Sequence, residues 1–333
     1  MGPRFIKNRR DLACGTTVLF EDLLKHLDKM NVQYIIIDTH KKNYNNIFHA
    51  YFSILYQLLV KQRDCTHISL HSSRDYMFLG IIIILLGKFF NKKTSLRKFA
   101  GEAESEYKNA GILKKLYMRT IFTNFDLLFA ETKYLVSFFS KMNKNTIWFP
   151  NSRNRTLKPN LPRKFRKRFV FISGVIKEKG IEEILKAARE LDESYTIEIY
   201  GALFNNEYTE EDFENEKVPY KGALQAEEVI PTLNEFDVLL LPSYKEGYPG
   251  IILEAYSIGL PVIATNLKGI SEIVDEYKTG VLIDPQNVQQ LIDAIKYFDN
   301  VNYIKMSNNA YKKFDLFRSD NRSQEFIKVL ENA

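Results

Sequence analysis

Short apolar runs of strand length alternate with longer runs of helical period along this chain, and the alternation happens twice. In the first half, strand-like runs fall at 32–37, 67–70, 93–99, 127–130 and 146–149, with helix-like stretches at 18–30, 46–60, 75–90, 108–122 and 133–142. A helix between two strands carries the second strand back parallel to the first, and such crossovers cover both faces of the sheet. The rhythm stops at 150–168, a segment with three prolines and the basic run Arg163-Lys-Phe-Arg-Lys-Arg168. It then restarts, with strands predicted at 169–173, 196–200, 238–241, 262–264 and 281–283 and helices at 180–191, 226–234, 249–258 and 288–298. Gly259 suits a left-handed cap on the third of these helices, and Pro261 follows. The fold class read from this pattern is α/β: two doubly wound, Rossmann-like domains whose strand ends face a ligand-binding cleft. The boundaries expected are a first domain over 1–155, a solvated linker over 156–168, a second domain over 169–310 and a last stretch over 311–333.

A length of 333 residues exceeds what one core usually spans, which fits two domains. The net charge of +6 hides a division between them. Residues 1–168 carry 31 Lys and Arg against 12 Asp and Glu, a net of +19, while 169–333 carry 16 against 29, a net of −13. A basic half of this kind meets nucleic acid, an anionic membrane surface or a phosphorylated substrate. No zinc-finger spacing, RNA-binding signature or basic-helix motif is present, so nucleic acid is not an expected partner. What stays open is a basic surface that is simply solvated or one turned towards an anionic membrane.

The strongest apolar run, Phe78-Leu-Gly-Ile-Ile-Ile-Ile-Leu-Leu86, is too short to span a bilayer. It is expected as a buried core helix, with a helix lying in a membrane interface as the alternative. Two cysteines, Cys14 and Cys65, form neither a disulfide framework nor a metal-ligand spacing, and the five histidines make no zinc-binding pattern. The N-terminus is basic without the apolar stretch of a secretory signal. The expected setting is cytoplasmic and reducing, at most peripheral on the inner face of the plasma membrane, with no bound metal or cofactor.

Chemistry concentrates in Tyr244-Lys-Glu-Gly-Tyr-Pro-Gly-Ile-Ile-Leu-Glu254. A strand-like run leads into it and a helix-like run follows. Glu246 then lies on a loop at the carboxyl end of a strand, and Glu254 in the first turns of the next helix. The backbone of Gly247, Tyr248, Pro249, Gly250 and Ile251 opens that helix, where free N–H groups cradle a diphosphate. Glycine lets the backbone approach closely, and Pro249 suits a first turn that loses no N–H bond. A carboxylate in the place of Glu254 accepts two hydrogen bonds from a ribose diol, and Glu246 would meet a sugar or its hydroxyls. Either carboxylate alone reads equally well as a charge stabilising the helix dipole. The second half opens with a strand ending at Ser173-Gly174, followed by Lys177 and Lys179-Gly180 before a helix. Lys179 is placed to reach a phosphate at that helix start, although a lone loop lysine also reads as a surface residue.

The run Phe236-Asp-Val-Leu-Leu-Leu-Pro-Ser-Tyr-Lys-Glu-Gly-Tyr-Pro-Gly-Ile-Ile-Leu-Glu-Ala-Tyr-Ser-Ile-Gly-Leu-Pro-Val-Ile-Ala-Thr265, continued by Gly269-Ile-Ser-Glu-Ile-Val274 and Thr279-Gly-Val-Leu-Ile-Asp-Pro285, resembles the retaining glycosyltransferases of family 4, which have the GT-B fold. The resemblance is specific over 169–285. In the first half Cys14-Gly-Thr-Thr-Val-Leu-Phe20, Leu96-Arg-Lys-Phe-Ala-Gly101, Phe129-Ala-Glu-Thr-Lys133 and Trp148-Phe-Pro-Asn-Ser152 are more loosely similar to bacterial surface-polysaccharide members. The resemblance implies a nucleoside-diphosphate sugar held by the second domain and a glycan or lipid-linked acceptor held by the first. It implies Glu246 and Lys179 as catalytic residues. Donor binding would fall to Glu254, the 247–251 backbone, Ser173, Gly174 and Lys177, with Tyr220 near the base. Gly15, Thr16 and His71 would line the acceptor side, although a lone histidine at a strand end more often reads as structural, and 311–333 would pack back on the first domain.

Two departures accompany the resemblance. Gly174 stands where the family places an arginine beside the donor diphosphate, so Lys177 or a residue from the first half would have to supply that charge. The chain also begins at the loop that follows the family's first strand, which would leave the first sheet without a central member. The expected function is transfer of a hexose-type sugar in cell-surface polysaccharide synthesis. The alternative is a catalytically weak nucleotide-sugar-binding subunit of a glycosyltransferase complex. A nucleotide-sugar epimerase shares the architecture but does not account for the two spaced glutamates.

Overall fold

The computed structural model describes residues 1–6, 15–99, 103–214 and 216–332. Cys14 and Gly101, which belong to runs singled out above, lie outside these. The chain divides into two compact units, Met1–Ser152 with Ser319–Ala333, and Arg153–Arg318.

The first unit is built on a parallel sheet of β1 (His67–Ser72), β2 (Lys93–Lys98), β3 (Leu127–Ala130) and β4 (Thr146–Trp148), hydrogen-bonded in that order. Its helices are α1 (Gly15–Lys29), α2 (Ile47–Lys61), α3 (Tyr76–Phe90), α4 (Ala103–Asn109), α5 (Ile112–Asn124) and α6 (Lys133–Phe139). All four residues of β3 are buried and apolar, as in a parallel strand covered on both faces. Alternation along β3 assigns the layers. Leu128 and Ala130 join a core with Ile54 of α2, Ile83 of α3 and Ile121 of α5, while Leu127 and Phe129 join Leu23 and Leu24 of α1 and Phe326. One face of the sheet is thus covered by α2, α3, α5 and α6 with α4 beside them, the other by α1 and the C-terminal segment.

The run expected as a strand at 32–37 is extended but is not a member of the four-stranded sheet. Its ladder-like bonds go to the first residues of the chain: Gly2 donates to Ile37 O at 3.3 Å, and Thr39 donates to Gly2 O at 3.0 Å. On its other side the same short segment meets β1, with the Met1 amino group donating to Ser69 O at 2.5 Å and His71 N–H donating to Met1 O at 2.8 Å. An extended run becomes a strand only where a neighbour offers a matching edge, and here that edge is two residues long. Between 32–37 and β1 lies a groove of about 850 Å³, lined among others by Leu24, Ile36, Cys65 and Phe326.

The second unit comprises β5 (Arg168–Ile172), α7 (Ile181–Arg189), β6 (Thr196–Tyr200), α8 (Glu211–Glu214), α9 (Val229–Asn234), β7 (Val238–Leu241), α10 (Gly250–Ser257), β8 (Val262–Thr265), α11 (Lys268–Ser271), β9 (Gly280–Ile283), α12 (Val288–Tyr297) and α13 (Asn300–Lys313). Its five strands are parallel in the order β6-β5-β7-β8-β9. Helix α7 shows why such segments pack: Ile181, Ile184, Leu185 and Ala188 are buried at helical spacing, and Glu182 and Glu183 occupy the positive first turn. Gly259 takes φ 72° just past α10, the left-handed cap expected there.

Residues 156–168, expected to be solvated, pack on this unit. Arg163 is buried and donates to Asn234 Oδ1 at 2.7 Å, to Asn234 O at 3.0 Å, to Phe236 O and to the Tyr303 hydroxyl at 3.0 Å. Its guanidinium satisfies carbonyls left over at the end of α9, which an exposed hinge would leave to water. After α13 the chain returns to the first unit as α14 (Ser319–Glu331), which packs on α1.

Candidate functional site

In the second sheet the strand order reverses between β5 and β7, the position where doubly wound sheets open a crevice at the carboxyl ends of their strands. The loops after these two strands are tied together. After β5 the chain makes a 3-10 turn, Lys177–Lys179, and reverses at Gly180, whose φ is 81°. A Cβ at Gly180 would overlap the Pro242 carbonyl, so the close approach of the two loops requires glycine. After β7, Tyr244 N–H donates to Glu178 O at 2.8 Å, and its hydroxyl lies 2.9 Å from both carboxylate oxygens of Glu183. These ties bring Lys179 Nζ to 2.6 Å from Glu246 Oε1, and Ser243 Oγ donates to the same oxygen at 3.0 Å. The Lys179 and Glu246 side chains are 23% and 14% exposed, enough shielding to strengthen the pair and enough access for a ligand.

The loop then enters α10 through Pro249, an extended N-cap residue that makes no side-chain cap bond. The first N–H groups of α10 therefore remain for an anion, at the positive end of the helix dipole. Gly247 O lies so close to Gly269 that a Cβ there would overlap it, which holds the loop against α11. One turn into α10, Glu254 accepts a hydrogen bond from Arg153 Nε at 2.6 Å. The Arg153 guanidinium lies over Gly250, where a Cβ would overlap it. A cation thus sits directly at the mouth of α10, and Arg153 itself is held by its N–H donating to Phe317 O at 3.0 Å.

The structure brings together Lys179, Glu246, Gly247, Pro249, Gly250, Ile251 and Glu254. Ser173 directly follows β5, and its backbone N–H donates to Tyr200 O at 3.2 Å. Gly174 follows, and a Cβ there would stand 3.0 Å from the exposed Phe204 ring. Lys177 does not join the cluster: its ammonium lies 3.0 Å from Glu182 in the first turn of α7. Tyr248 is buried with its ring 6.3 Å from that of Phe317, so it anchors the loop rather than facing a ligand. Tyr220 stacks on Phe213 and donates to Gly201 O at 2.8 Å, at the carboxyl end of β6; burial raises its pKa.

In the first unit Gly15 and Thr16 open α1. His71 is not presented to a ligand. It is 2% exposed and its ring lies 5.1 Å from Phe20 and 5.5 Å from Phe326, because strand alternation turns it into the aromatic layer under α1 and α14. Burial holds its pKa well below the ordinary value, reinforced by the charges of the amino terminus and Arg97. Two features carry no signal in the sequence pattern. Arg153 lies in an irregular segment 101 positions from Glu254, and no spacing marks the pair. Arg97, Lys98 and Glu131 are buried charges at the carboxyl ends of β2 and β3, within runs noted above but not singled out. Among the described residues no group of three or more His, Cys, Asp or Glu side chains is placed to hold a metal.

Known proteins resemble this chain in sequence and in fold. A family model described as glycosyl transferases group 1 matches residues 152–313. A protein from the cps region of Klebsiella pneumoniae, described as an uncharacterized 41.2 kDa protein, is 25% identical over 166 residues, which is 49% of this chain and 46% of that one. The Campylobacter jejuni N,N'-diacetylbacillosaminyl-diphospho-undecaprenol alpha-1,3-N-acetylgalactosaminyltransferase is 24% identical over 168 residues, 49% of this chain and 44% of that one. The chain thus aligns with less than half the length of these curated relatives. Among solved structures, Anabaena HepE in complex with UDP superposes with a TM-score of 0.73 at 15% identity, covering 93% of this chain and 89% of that one. The fold is therefore that of the GT-B glycosyltransferases, and in residues 152–313 this chain carries the domain of the glycosyl transferases group 1 family.

Proposed function

We propose that the chain is a retaining glycosyltransferase of cell-surface polysaccharide synthesis, taking a hexose-type sugar from a nucleoside diphosphate to a glycan or lipid-linked hydroxyl. The observation that carries the reading is the Lys179–Glu246 pair at the reversal of the second sheet, beside the N-terminus of α10, whose N-cap Pro249 makes no side-chain cap bond. The donor diphosphate would lie on the N–H groups of α10, with Lys179 and Arg153 as counter-charges. Arg153 fills the role that Gly174 leaves vacant. To admit the ribose diol, Glu254 exchanges its bond to Arg153 for the two hydroxyls, and the freed guanidinium turns to the diphosphate. Glu246 holds Lys179 in place and meets the sugar hydroxyls.

In the transfer the bond from the anomeric carbon to the diphosphate oxygen breaks, and its electron pair stays on the diphosphate. The acceptor oxygen bonds to the same carbon from the same face, and its proton passes to the departing diphosphate. Positive groups aimed at the leaving oxygens stabilise the charge that develops there, and this arrangement needs no resident metal ion. Relatives named for the cps region and for an undecaprenyl-diphosphate-linked acceptor support a surface-glycan product. The complexes of HepE with UDP and UDP-glucose place uridine donors first in a test panel.

The test is incubation with UDP-, GDP- and ADP-sugars and a bacterial lipid extract, following release of nucleoside diphosphate. Turnover with one donor is the expected result. Donor binding without transfer or slow hydrolysis would leave the second reading, a binding subunit of low activity, which the small Gly174 position motivates.

A further inference from the structure

Three neighbouring helices on one face of the first sheet, α2, α3 and α5, are apolar on their outer side as well as their inner one. On α2, Ala50, Ile54 and Leu58 are buried, while the opposite stripe of Phe48, Phe52, Tyr56 and Leu59 is 83%, 74%, 62% and 51% exposed. On α3, Leu79, Ile83 and Ile84 face the core and Phe78, Leu85 and Phe89 face out. On α5, Ile112, Leu113 and Leu116 are exposed in the first two turns. The stripes are neighbours. Tyr51 of α2 meets Phe78 of α3 with ring centroids 4.7 Å apart, Tyr117 of α5 donates to Met77 O of α3, and Lys88 of α3 donates to Asn124 of α5 at 2.7 Å. An outward apolar surface on three adjacent helices is more than scattered exposure, and such a surface marks a partner.

Charge on the same face selects the partner. Helices α2, α3 and α5 contain no acidic residue and carry Lys88, Lys114, Lys115 and Arg119, while Lys61 turns inward to Ile36 O; the two glutamates of neighbouring α4, Glu104 and Glu106, are paired with Lys108 and Lys98. On the other face, α1 and α14 each carry three acidic side chains. A second copy apposed through this surface would bring four cations against four, so self-association is disfavoured. A flat, negatively charged surface with an apolar interior matches both properties at once. Among the described residues no helix is long and apolar enough to cross a membrane, so the contact is one of lying upon it.

We propose that the outer face of α2, α3 and α5 is a docking surface for an anionic lipid bilayer, with Phe48, Phe52 and Phe89 inserted at the level of the headgroups and the lysines and arginine paired with lipid phosphates. The proposal rests on this face alone and not on the reaction proposed above, so it is tested without donor or acceptor. The full chain is sedimented with phosphatidylcholine vesicles with and without phosphatidylglycerol, at low and high salt. Binding is expected to the anionic vesicles only, weakening with salt. The double variant Phe48→Asp/Phe52→Asp, checked for an unchanged melting curve, should bind at least about tenfold more weakly. Lys114→Glu/Lys115→Glu should flatten the salt dependence, and it keeps the test decisive if the first variant folds poorly. Unchanged sedimentation of both variants, failure of the parent to bind anionic vesicles, or a solution dimer dissolved by the same substitutions would each overturn it.

Discussion

Both parallel sheets end in charged residues at the carboxyl edges of their strands, but the two edges treat charge in opposite ways. In the second unit, Lys179 with Glu246 and Arg153 with Glu254 are bonded ion pairs at 2.6 Å that keep partial access to solvent. In the first unit, Arg97, Lys98 and Glu131 are withdrawn from it. The Arg97 guanidinium lies 4.4 Å from the Phe149 ring centroid and 4.8 Å from that of Phe99, and Lys98 donates to Phe99 O at 2.8 Å. Burial pushes the Glu131 carboxyl up to about 7 against the pull of Arg97 and Lys98, and burial lowers the Lys98 pKa. The difference teaches that parallel strands bring charges to their carboxyl ends in both units, while the loops decide whether those charges can be lent to a ligand. Paired charges at a half-open edge exchange partners at little cost, whereas buried ones exact a desolvation penalty in every state.

The largest expected effect tests the open edge. Lys179→Met should lower transfer about a hundred- to a thousandfold, as loss of a preorganised charge on a leaving group does, with donor binding less affected. Steady-state kinetics with the active donor would show it, and a variant with parental kcat would end the assignment. Gly180→Ala comes next. It forces a left-handed backbone on alanine and pushes on the Pro242 carbonyl, so unfolding in denaturant should reveal a loss of about 1–3 kcal/mol. Glu254→Ala should weaken donor binding by about tenfold, the worth of a charged hydrogen-bonding partner, when followed by calorimetry. Equal affinity in parent and variant would sever Glu254 from the ribose.

The last test belongs to the closed edge. Because the folded pKa of Glu131 is raised from 4.5 to about 7, the stability it confers is complete below pH 4.5 and is lost as pH climbs through 7. Glu131→Gln should therefore match the parent at pH 4 and exceed it at pH 8 by about 1–3 kcal/mol in urea denaturation. A difference that does not depend on pH would show that this edge is as open as the other.

Much of the scaffold is legible in the chain because local patterns carry it. The strand before Glu246, the loop at Gly180 and the start of α10 are set by residues close in sequence. Lys179, Glu246 and Glu254 are therefore placed by the amino-acid pattern itself. What the pattern does not carry depends on partners far away. Arg153 meets Glu254 only after the chain has folded across the whole second unit. The run 32–37 is extended, as its apolar residues demand, yet membership of a sheet depends on the neighbouring edge. His71 follows a strand pattern that fits either face, and its aromatic neighbours come from α1, the loop after β2 and α14. For α3 an apolar run is enough to predict a helix, but not to tell that only half of its surface is covered.

Arg153 and Arg318, the two ends of the second unit, form a bridge of adjacent backbone, with Arg153 N–H donating to Phe317 O. A unit whose entry and exit lie side by side behaves as a cassette: it can be replaced by another of different sequence without moving the ends to which it is joined. Nucleotide-sugar preference and acceptor preference would then be separable heritable properties. A chimera cut only at 152/153 and 318/319 should inherit the donor choice of its insert while keeping the α2, α3 and α5 surface of its host.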